Sequence, residues 1–206
     1  MAIDRVALLG CTACPRLAAF LADARARDPD YHARPVPPWG DPAARVLYVG
    51  LAPGYEGANR TGKPFSGDVS GEWVYGALAA RGQAASPEPG SELAGAAITN
   101  AVKCCPPLNR PTAAEVRTCR EKWLRAEVCG SPARVIVAFG SVAFRSVLAL
   151  ARQRVPFAHG AEVDVEIGGE PRVLLGCYHP SPLNTRTGRM SRGMFDAVLD
   201  RAADLC

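Results

Sequence analysis

The sequence predicts an α/β fold, a three-layer α/β/α sandwich around a central, mostly parallel, four-stranded sheet. The first observation is a set of four short apolar runs with the character of buried strands, at residues 45–51, 96–102, 134–139 and 172–177. Such near-continuous apolar runs indicate a parallel sheet that is covered on both faces. The second observation is that stretches of helical composition alternate with these runs, which is the order that such a sandwich requires.

Five stretches have helical composition or helix-start residues, at residues 16–27, 70–81, 112–128, 141–152 and 191–205. The third is the best marked, because Thr112 and Glu115 have the spacing of a capping box. Before the last strand, an alternating pattern turns at Gly168 and Gly169, which predicts a hairpin. A chain of 206 residues is long enough for one compact core, so we expect a single domain over residues 1–206.

Composition is that of an ordinary soluble protein, with 48% hydrophobic and 21% charged residues. The apolar start of the chain is short and contains Asp4, and no apolar run approaches the ~18 residues that cross a bilayer. We therefore expect a cytoplasmic monomer with no membrane partner. The net charge of +4 is small, but residues 171–195 contain four arginines and no acid. That stretch fits either a phosphate-contacting face or a solvated loop.

Eight cysteines are many for a reducing compartment, where clustered cysteines more often bind metals or do redox chemistry than form disulfides. Cys11 and Cys14 form a C-x-x-C pair, and Cys104, Cys105 and Cys119 lie at and after the end of the second predicted strand. Such thiolates suit zinc or an iron–sulfur cluster. The lack of a second C-x-x-C pair favours a [4Fe–4S] cluster over a zinc ribbon. Small buried hydrophobes and a redox-active pair are the alternatives.

The segments that follow three of the predicted strands are rich in glycine, proline and polar residues. They are GLAPGYEGANRTGKPFSGD after the first strand, NAVKCCPPLNRP after the second and YHPSPLNTRTGR after the fourth. Parallel strands bring their carboxyl ends to one edge of the sheet, where α/β proteins bind ligands. We therefore expect these three loops to form one site.

Four motifs occur in the order of a known family: CTACPR, GLAPG with RTGKPFSGD, TNAVKCCPPLNRP and HPSPLN. Over nearly the whole chain they resemble the iron–sulfur uracil-DNA glycosylases of bacteria and archaea. Leu51 stands where family 4 has a glutamate, so the resemblance is to family 5. It implies excision of uracil from damaged DNA and a structural [4Fe–4S] cluster that is held by Cys11, Cys14, Cys104 and Cys119.

A glycosylase flips its base out of the duplex and holds it by stacking and by contacts to the base edge. The resemblance assigns the stacking to Phe65, although this aromatic residue also suits a core position. Asn100 has an amide that can both donate to and accept from a uracil edge, with the capping of a turn as its simpler role. His179 is expected to donate to uracil O2 as a neutral imidazole. Leu51 and Ala52 are expected to assist through backbone N–H groups.

The water-activating group is less obvious, because the better-known glycosylases have an aspartate where this chain has Ala52. Asp68 is the nearest carboxylate. We expect it to stabilise the cationic sugar or to orient water, with helix capping as its alternative role. Gly54 replaces a tyrosine that excludes thymine in uracil-specific enzymes, and Gly57 lies near a family 4 glutamate of similar effect. A roomier pocket is expected, which accepts hypoxanthine or xanthine as well as uracil.

The last loop is expected to enter the DNA, with an apolar wedge between basic flanks. The residues expected to contact DNA are Arg60, Lys63, Ser181, Leu183, Asn184, Arg186 and Arg189. Three other interpretations compete with a broad-range glycosylase. They are a uracil-DNA binding protein with little turnover, a stricter enzyme of the family 4 type, and a zinc-containing nucleic-acid-binding module without a base pocket.

Overall fold

The computed structural model describes residues 3–206 and contains a six-stranded sheet with the strand order β1-β3-β2-β4-β6-β5. The strands are β1 (Trp39–Gly40), β2 (Val46–Gly50), β3 (Ala96–Asn100), β4 (Val135–Phe139), β5 (Glu162–Ile167) and β6 (Glu170–Cys177). The inner four are parallel, whereas β1 and β5 run antiparallel to their neighbours. The predicted α/β sandwich and its parallel core are confirmed. The predicted count of four strands is wrong, because β5 is the first arm of the predicted hairpin and β1 is too short to produce a strand pattern.

The helices that surround the sheet are α1 (Arg5–Leu9), α2 (Pro15–Arg27), α3 (Ala58–Thr61), α4 (Val69–Ala79), α5 (Ala113–Cys119), α6 (Arg125–Cys129), α7 (Ser141–Leu150), α8 (Pro182–Arg186) and α9 (Arg192–Asp204). A π-helical turn at Arg120–Leu124 joins α5 to α6, so the predicted helix over residues 112–128 is continuous but locally widened. The short helices α1, α3 and α8 were not predicted. Within the described residues, no helix has the length and apolar character needed to span a bilayer.

Capping side chains explain where several helices begin. Thr112 and Glu115 form the predicted capping box at the start of α5. The side chain of Asp68 accepts a hydrogen bond at the start of α4, and that of Ser191 does the same for α9. The start of α4 therefore fixes a carboxylate at the end of the loop that follows β2.

The sheet separates two hydrophobic cores. One core packs α4 and α9 against the sheet, with Val74 and Phe195 among its buried residues, and the other packs α6 and α7, with Val128 and Phe144. A third, smaller cluster joins α1 and α2 to α5 and includes several cysteines. The edge strand β5 exposes acidic residues at alternate positions: Glu162, Asp164 and Glu166.

Candidate active site

The predicted base-contacting side chains meet where β2, β3 and β6 end. Gly50 ends β2, Asn100 lies beside it at the end of β3, and His179 follows β6. A Cβ atom on Gly50 would lie 2.4 Å from the Asn100 side-chain oxygen and 2.6 Å from the Phe65 ring. Phe65 and Asn100 can approach the strand end this closely because residue 50 has no side chain. The rings of Phe65 and His179 are stacked, with their centroids 5.7 Å apart, so these side chains surround one point at the carboxyl edge.

Phe65 joins this site to the hydrophobic core. It is only 7% exposed, and its ring meets the Phe139 ring edge-on at a centroid distance of 5.4 Å. Its φ of 51° is unusual for a bulky residue, and strained backbone of this kind occurs preferentially at functional sites. The two roles considered for Phe65 are therefore compatible, because one edge of the ring packs into the core while a face lies towards His179.

The two carboxylate oxygens of Asp68 face different groups. Oδ1 accepts a hydrogen bond from the backbone N–H of Gly71 at 3.0 Å and caps α4. Oδ2 lies against the loop after β2, since a Cβ atom on Gly57 would lie 2.4 Å from it and one on Gly54 would lie 3.3 Å from it. Burial raises the pKa of Asp68 above the ordinary value of an aspartate, despite the opposing effect of its backbone hydrogen bonds. Helix capping thus occupies one oxygen and leaves the other facing the loop.

The position of Asp68 also changes the argument for a roomier pocket. The space that a side chain would take at Gly57 is filled by the Asp68 carboxylate, so the missing glutamate leaves no void there. The nearest atom to a Cβ on Gly54 is 3.3 Å away, and only a larger side chain at this position would fill the site. The case for a roomier pocket therefore rests on Gly54 and not on both glycines.

His179 is held through its backbone, and its ring has no hydrogen-bond partner within residues 3–206. The His179 carbonyl accepts hydrogen bonds from the backbone N–H of Ser181 and from the side-chain amide of Asn184, both at 2.8 Å. Asn184, which was expected to contact DNA, thus also shapes this turn. Burial lowers the pKa of His179 to about 4. The imidazole is neutral at physiological pH and can donate one hydrogen bond to a ligand.

The segment predicted as a stiff loop after His179 is partly helical, because α8 begins at Pro182. Leu183 in the first turn of α8 is 74% exposed, as expected of a wedge. The guanidinium of Arg189 lies 4.8 Å from the centroid of the Tyr178 ring. This end of the site therefore presents the exposed Leu183 side chain, and the Arg189 guanidinium lies over Tyr178 at the end of the preceding strand.

The acid-free stretch of residues 171–195 is less uniformly basic on the surface than its composition indicates. Arg172 is buried and donates to the backbone carbonyls of Ser131 and Ala133, which precede β4 at the opposite edge of the sheet. Arg192 pairs with Asp196 at 2.9 Å. Arg186 and Arg189 are exposed. Within the described part of the chain, Arg186 and Arg189 have no carboxylate partner, whereas Arg192, which belonged to the same basic stretch, is paired.

Arg60 and Lys63 both brace the structure around the first loop. The Lys63 ammonium donates to the Gly90 carbonyl at 3.0 Å and lies 4.0 Å from the Trp39 ring centroid. Arg60 donates to two backbone carbonyls of its own loop. Arg60 is nevertheless exposed, whereas Lys63 is half-buried, so Arg60 is the more accessible of the two to DNA.

Leu51 and Ala52 lie between the base-contacting residues and the cysteines. The Leu51 carbonyl accepts a hydrogen bond from the backbone N–H of Val102 at 2.9 Å, which extends the pairing of β2 and β3 beyond the strand ends. Ala52 packs against the hydrophobic cluster that contains the cysteines. The first motif therefore contacts both regions.

The sequence did not predict the buried ion pair between Lys103 and Glu127, which contacts the backbone of Asn100. The Lys103 ammonium donates to the Asn100 carbonyl at 2.6 Å, to the Thr99 hydroxyl at 2.6 Å and to the Glu127 carboxylate at 2.5 Å. The Lys103 and Glu127 side chains are 1% and 0% exposed. The backbone N–H of Lys103 donates to the Cys119 sulfur at 3.2 Å. Lys103 thus joins the end of β3 to the cysteines, and its one sequence signal is a lysine within the apolar run AITNAVKCC.

The four cysteines that the resemblance selected line one cavity between α2, α5 and the loop after β3. They are Cys11, Cys14, Cys104 and Cys119. The indole N–H of Trp123 donates to the Cys11 sulfur at 3.3 Å. Cys105 does not line the cavity, and its thiol faces the Pro106 carbonyl instead. The geometry therefore distinguishes the two adjacent cysteines in favour of Cys104.

Four thiols around one cavity match the number of thiolate ligands that a [4Fe–4S] cluster takes. No three His, Cys, Asp or Glu side chains within residues 3–206 are placed to share one ion. In a [4Fe–4S] cluster each iron takes its own thiolate, so the ligands surround a cavity. Burial raises the pKa of the Cys119 thiol to about 11 and that of the Cys104 thiol further. Without a positively charged partner, these buried thiols are therefore protonated at neutral pH.

Comparison with known proteins identifies the family of this chain. A model of the uracil DNA glycosylase superfamily matches residues 37–203. A type-5 uracil-DNA glycosylase of Thermus thermophilus is 45% identical over 96% of this chain and 94% of its own length. One of Pyrobaculum aerophilum is 43% identical over 95% and 89%. A type-4 uracil-DNA glycosylase of Archaeoglobus fulgidus is 29% identical over 83% and 81%. The chain therefore belongs to the uracil-DNA glycosylase superfamily and, within it, to the type-5 branch.

Proposed function

We propose that the protein is a monofunctional DNA N-glycosylase that flips uracil out of DNA and hydrolyses its N-glycosidic bond, leaving an abasic site. The observation that carries this proposal is the convergence of Phe65, Asn100 and His179 at the end of β2, where the loop that follows also packs against the second oxygen of Asp68. Hydrolytic base excision needs a stacking surface, an edge-reading amide, a hydrogen-bond donor and a carboxylate, and this site has all four. The similarity to type-5 uracil-DNA glycosylases supports uracil as the base.

In this mechanism the base stacks on Phe65 while the Asn100 amide pairs with its edge. Cleavage of the N-glycosidic bond sends the bonding electrons into the base and leaves a cationic sugar. The neutral His179 ring donates a hydrogen bond to uracil O2, where negative charge develops. Because its pKa is lowered to about 4, His179 acts as a hydrogen-bond donor and not as a proton source at neutral pH.

Asp68 is the carboxylate of the reaction. Its Oδ2 stabilises the cationic sugar and accepts a proton from the water that adds to it, while Oδ1 keeps the carboxylate in place by capping α4. Ala52 has no such group, so this role cannot be filled by the first motif itself. The departing base takes a proton from solvent and Asp68 releases the water proton to solvent, which completes the hydrolysis and restores the carboxylate.

We further propose that Cys11, Cys14, Cys104 and Cys119 hold a [4Fe–4S] cluster. The cluster supplies a structural cross-link and no electron, because the reaction is a hydrolysis. N–H groups of Lys103 and Trp123 donate to two of the sulfurs, as is common around iron–sulfur clusters. Iron and sulfide analysis of anaerobically purified protein tests this assignment, and a colourless zinc protein would contradict it.

Substrate range and DNA contacts are the finer parts of the proposal. The small Gly54 supports excision of hypoxanthine and xanthine in addition to uracil. Exposed Leu183 props open the flipped site, and Ser181, Arg186 and Arg189 contact the adjoining backbone, together with Arg60. We propose a cytoplasmic monomer as the working state.

A panel of duplex oligonucleotides tests the proposed function. Each duplex carries one damaged base and is treated with alkali after incubation with excess enzyme. Strand breaks are expected at uracil, and at hypoxanthine or xanthine if Gly54 enlarges the pocket. If the protein instead slows the uracil-containing duplex in a gel-mobility assay but leaves no alkali-labile sites, it is a binding protein with little turnover. Cleavage at uracil alone would indicate a stricter specificity, like that of the family 4 type.

A further inference from the structure

A second exposed leucine lies in the loop after β3. Leu108 is 86% exposed, more than Leu183, and it sits in a short 3-10 turn at Pro107–Asn109. Leu108 and Asn109 have φ values of 54° and 56°, in the left-handed region that is unfavourable for a side chain such as leucine. Backbone hydrogen bonds to the carbonyls of Pro106 and Pro107 hold the turn. A hydrogen-bonded turn with an unfavourable backbone conformation therefore holds the apolar Leu108 side chain in solvent.

A groove rich in arginine runs beside this turn, between α5 and α7. Its rim includes Arg110, Arg117, Arg120 and Arg145, and its mouth reaches Leu51 in the first motif. Of these arginines, Arg120 pairs with Glu121, and the other three have no carboxylate partner within residues 3–206. Three uncompensated guanidinium groups in one groove form a strong site for phosphate groups, which arginine binds in a bidentate manner.

The place of the groove indicates what it binds. It opens at the same carboxyl edge as the base-contacting residues, but on the sheet face covered by α6 and α7, whereas Phe65 packs with the core on the other face. A DNA strand whose nucleotide has entered the site continues across this edge, and it carries a phosphate at every step. The charge of the groove complements that backbone, and its apolar floor, which includes Val116 and Val142, suits sugars.

We propose that the Leu108 turn and the arginine groove form a second DNA-contact surface, separate from the His179–Asn184 segment. The groove binds the phosphodiester backbone that flanks the flipped nucleotide, and Leu108 packs against the sugars and base edges of the same duplex. This proposal rests on the proposed function for the identity of the nucleic acid. Its test uses undamaged DNA, so it does not depend on whether the protein excises a base.

The double variant Arg117→Ala/Arg145→Ala tests the groove. Its matched control is Arg45→Ala/Arg134→Ala, which removes two exposed arginines just before β2 and β4, at the opposite edge of the sheet. We expect the groove variant to bind an undamaged duplex roughly tenfold more weakly at moderate salt. The slope of log affinity against log salt should become shallower by about 1.8, since each lost phosphate contact removes about 0.9. The proposal would be overturned if the groove variant had the same duplex affinity and salt slope as the control variant. It would also be overturned if the groove variant lost binding to anionic lipid vesicles while its binding to DNA was unchanged.

Leu108→Ala tests the turn separately. An apolar contact releases no counterions, so we expect duplex affinity to fall several-fold with an unchanged salt slope. The readout also includes the thermal unfolding temperature, which should stay close to that of the parent because Leu108 is 86% exposed. Unchanged duplex affinity would overturn the role of Leu108.

Discussion

The base-contacting region and the cysteine cavity share the end of β3 but are built in opposite ways. In the first region, the His179 ring has no hydrogen-bond partner within residues 3–206, and only one Asp68 oxygen is used to cap α4. The sulfurs of the second region are enclosed by apolar side chains, and two of them already accept N–H donors. The first arrangement suits a molecule that enters and leaves in each cycle. The second suits a group that is acquired once and then retained.

The largest expected effect comes from removing a cysteine of the cavity. Cys119→Ala should lower iron content to background and destabilise the protein enough to reduce its soluble yield, because the free energy of cluster binding contributes to folding. Thermal unfolding and iron analysis measure this. Cys105→Ala is the matched control, because the Cys105 thiol is buried nearby but does not line the cavity. Equal iron loss in both variants would contradict the ligand assignment.

The next largest effect is on stability and concerns the Lys103–Glu127 ion pair, which connects the base-contacting region to the cysteine cavity. Lys103→Met leaves the Glu127 carboxylate buried without its partner and should lower the free energy of unfolding by about 3–5 kcal/mol. Lys103→Met/Glu127→Gln removes the stranded charge and should recover most of that stability. Denaturant unfolding of both variants measures the difference. Comparable stability of the two variants would mean that the ion pair is not what holds the end of β3.

A smaller effect in free energy, confined to the base-contacting region, is expected from Asp68→Asn. The single-turnover rate of uracil excision should fall about 100-fold, which corresponds to about 2.7 kcal/mol. Stability should change little, because asparagine caps a helix about as well as aspartate. Glu72→Gln on the first turn of α4 is a control for the loss of one negative charge. An unchanged rate in Asp68→Asn would remove this carboxylate from the mechanism.

The smallest effect is a pH dependence with a definite sign. Burial raises the pKa of Asp68, so excision should slow as the pH falls and this carboxylate becomes protonated, at a higher pH than for an ordinary aspartate. His179 is already neutral well above its pKa of about 4, so the rate should not decline between neutral and mildly alkaline pH on its account. Single-turnover rates across this range measure both limbs. An acidic limb that persists in Asp68→Asn would have to come from another group.

The sequence was sufficient for the parallel core, because it follows from local apolar patterns, and the family resemblance selected side chains that the structure brings together at the carboxyl edge. Apolar runs located β2, β3, β4 and β6, and the motifs located Phe65, Asn100 and His179. It was not sufficient for features that depend on packing between distant segments. The Lys103–Glu127 pair joins β3 to α6, and nothing in either segment alone indicates the other. The close approach of Asp68 to Gly57 depends in the same way on how the loop folds back.

The acidic edge strand β5 has a consequence for how the molecule meets its surroundings. An unpaired strand edge can add strands from another copy of the chain, and charged residues along it oppose such pairing. Glu162, Asp164 and Glu166 provide three such charges, of which Glu162 is partly compensated by Arg201. The same charges repel a polyanion. A DNA duplex is therefore repelled from the β5 edge and not attracted to it.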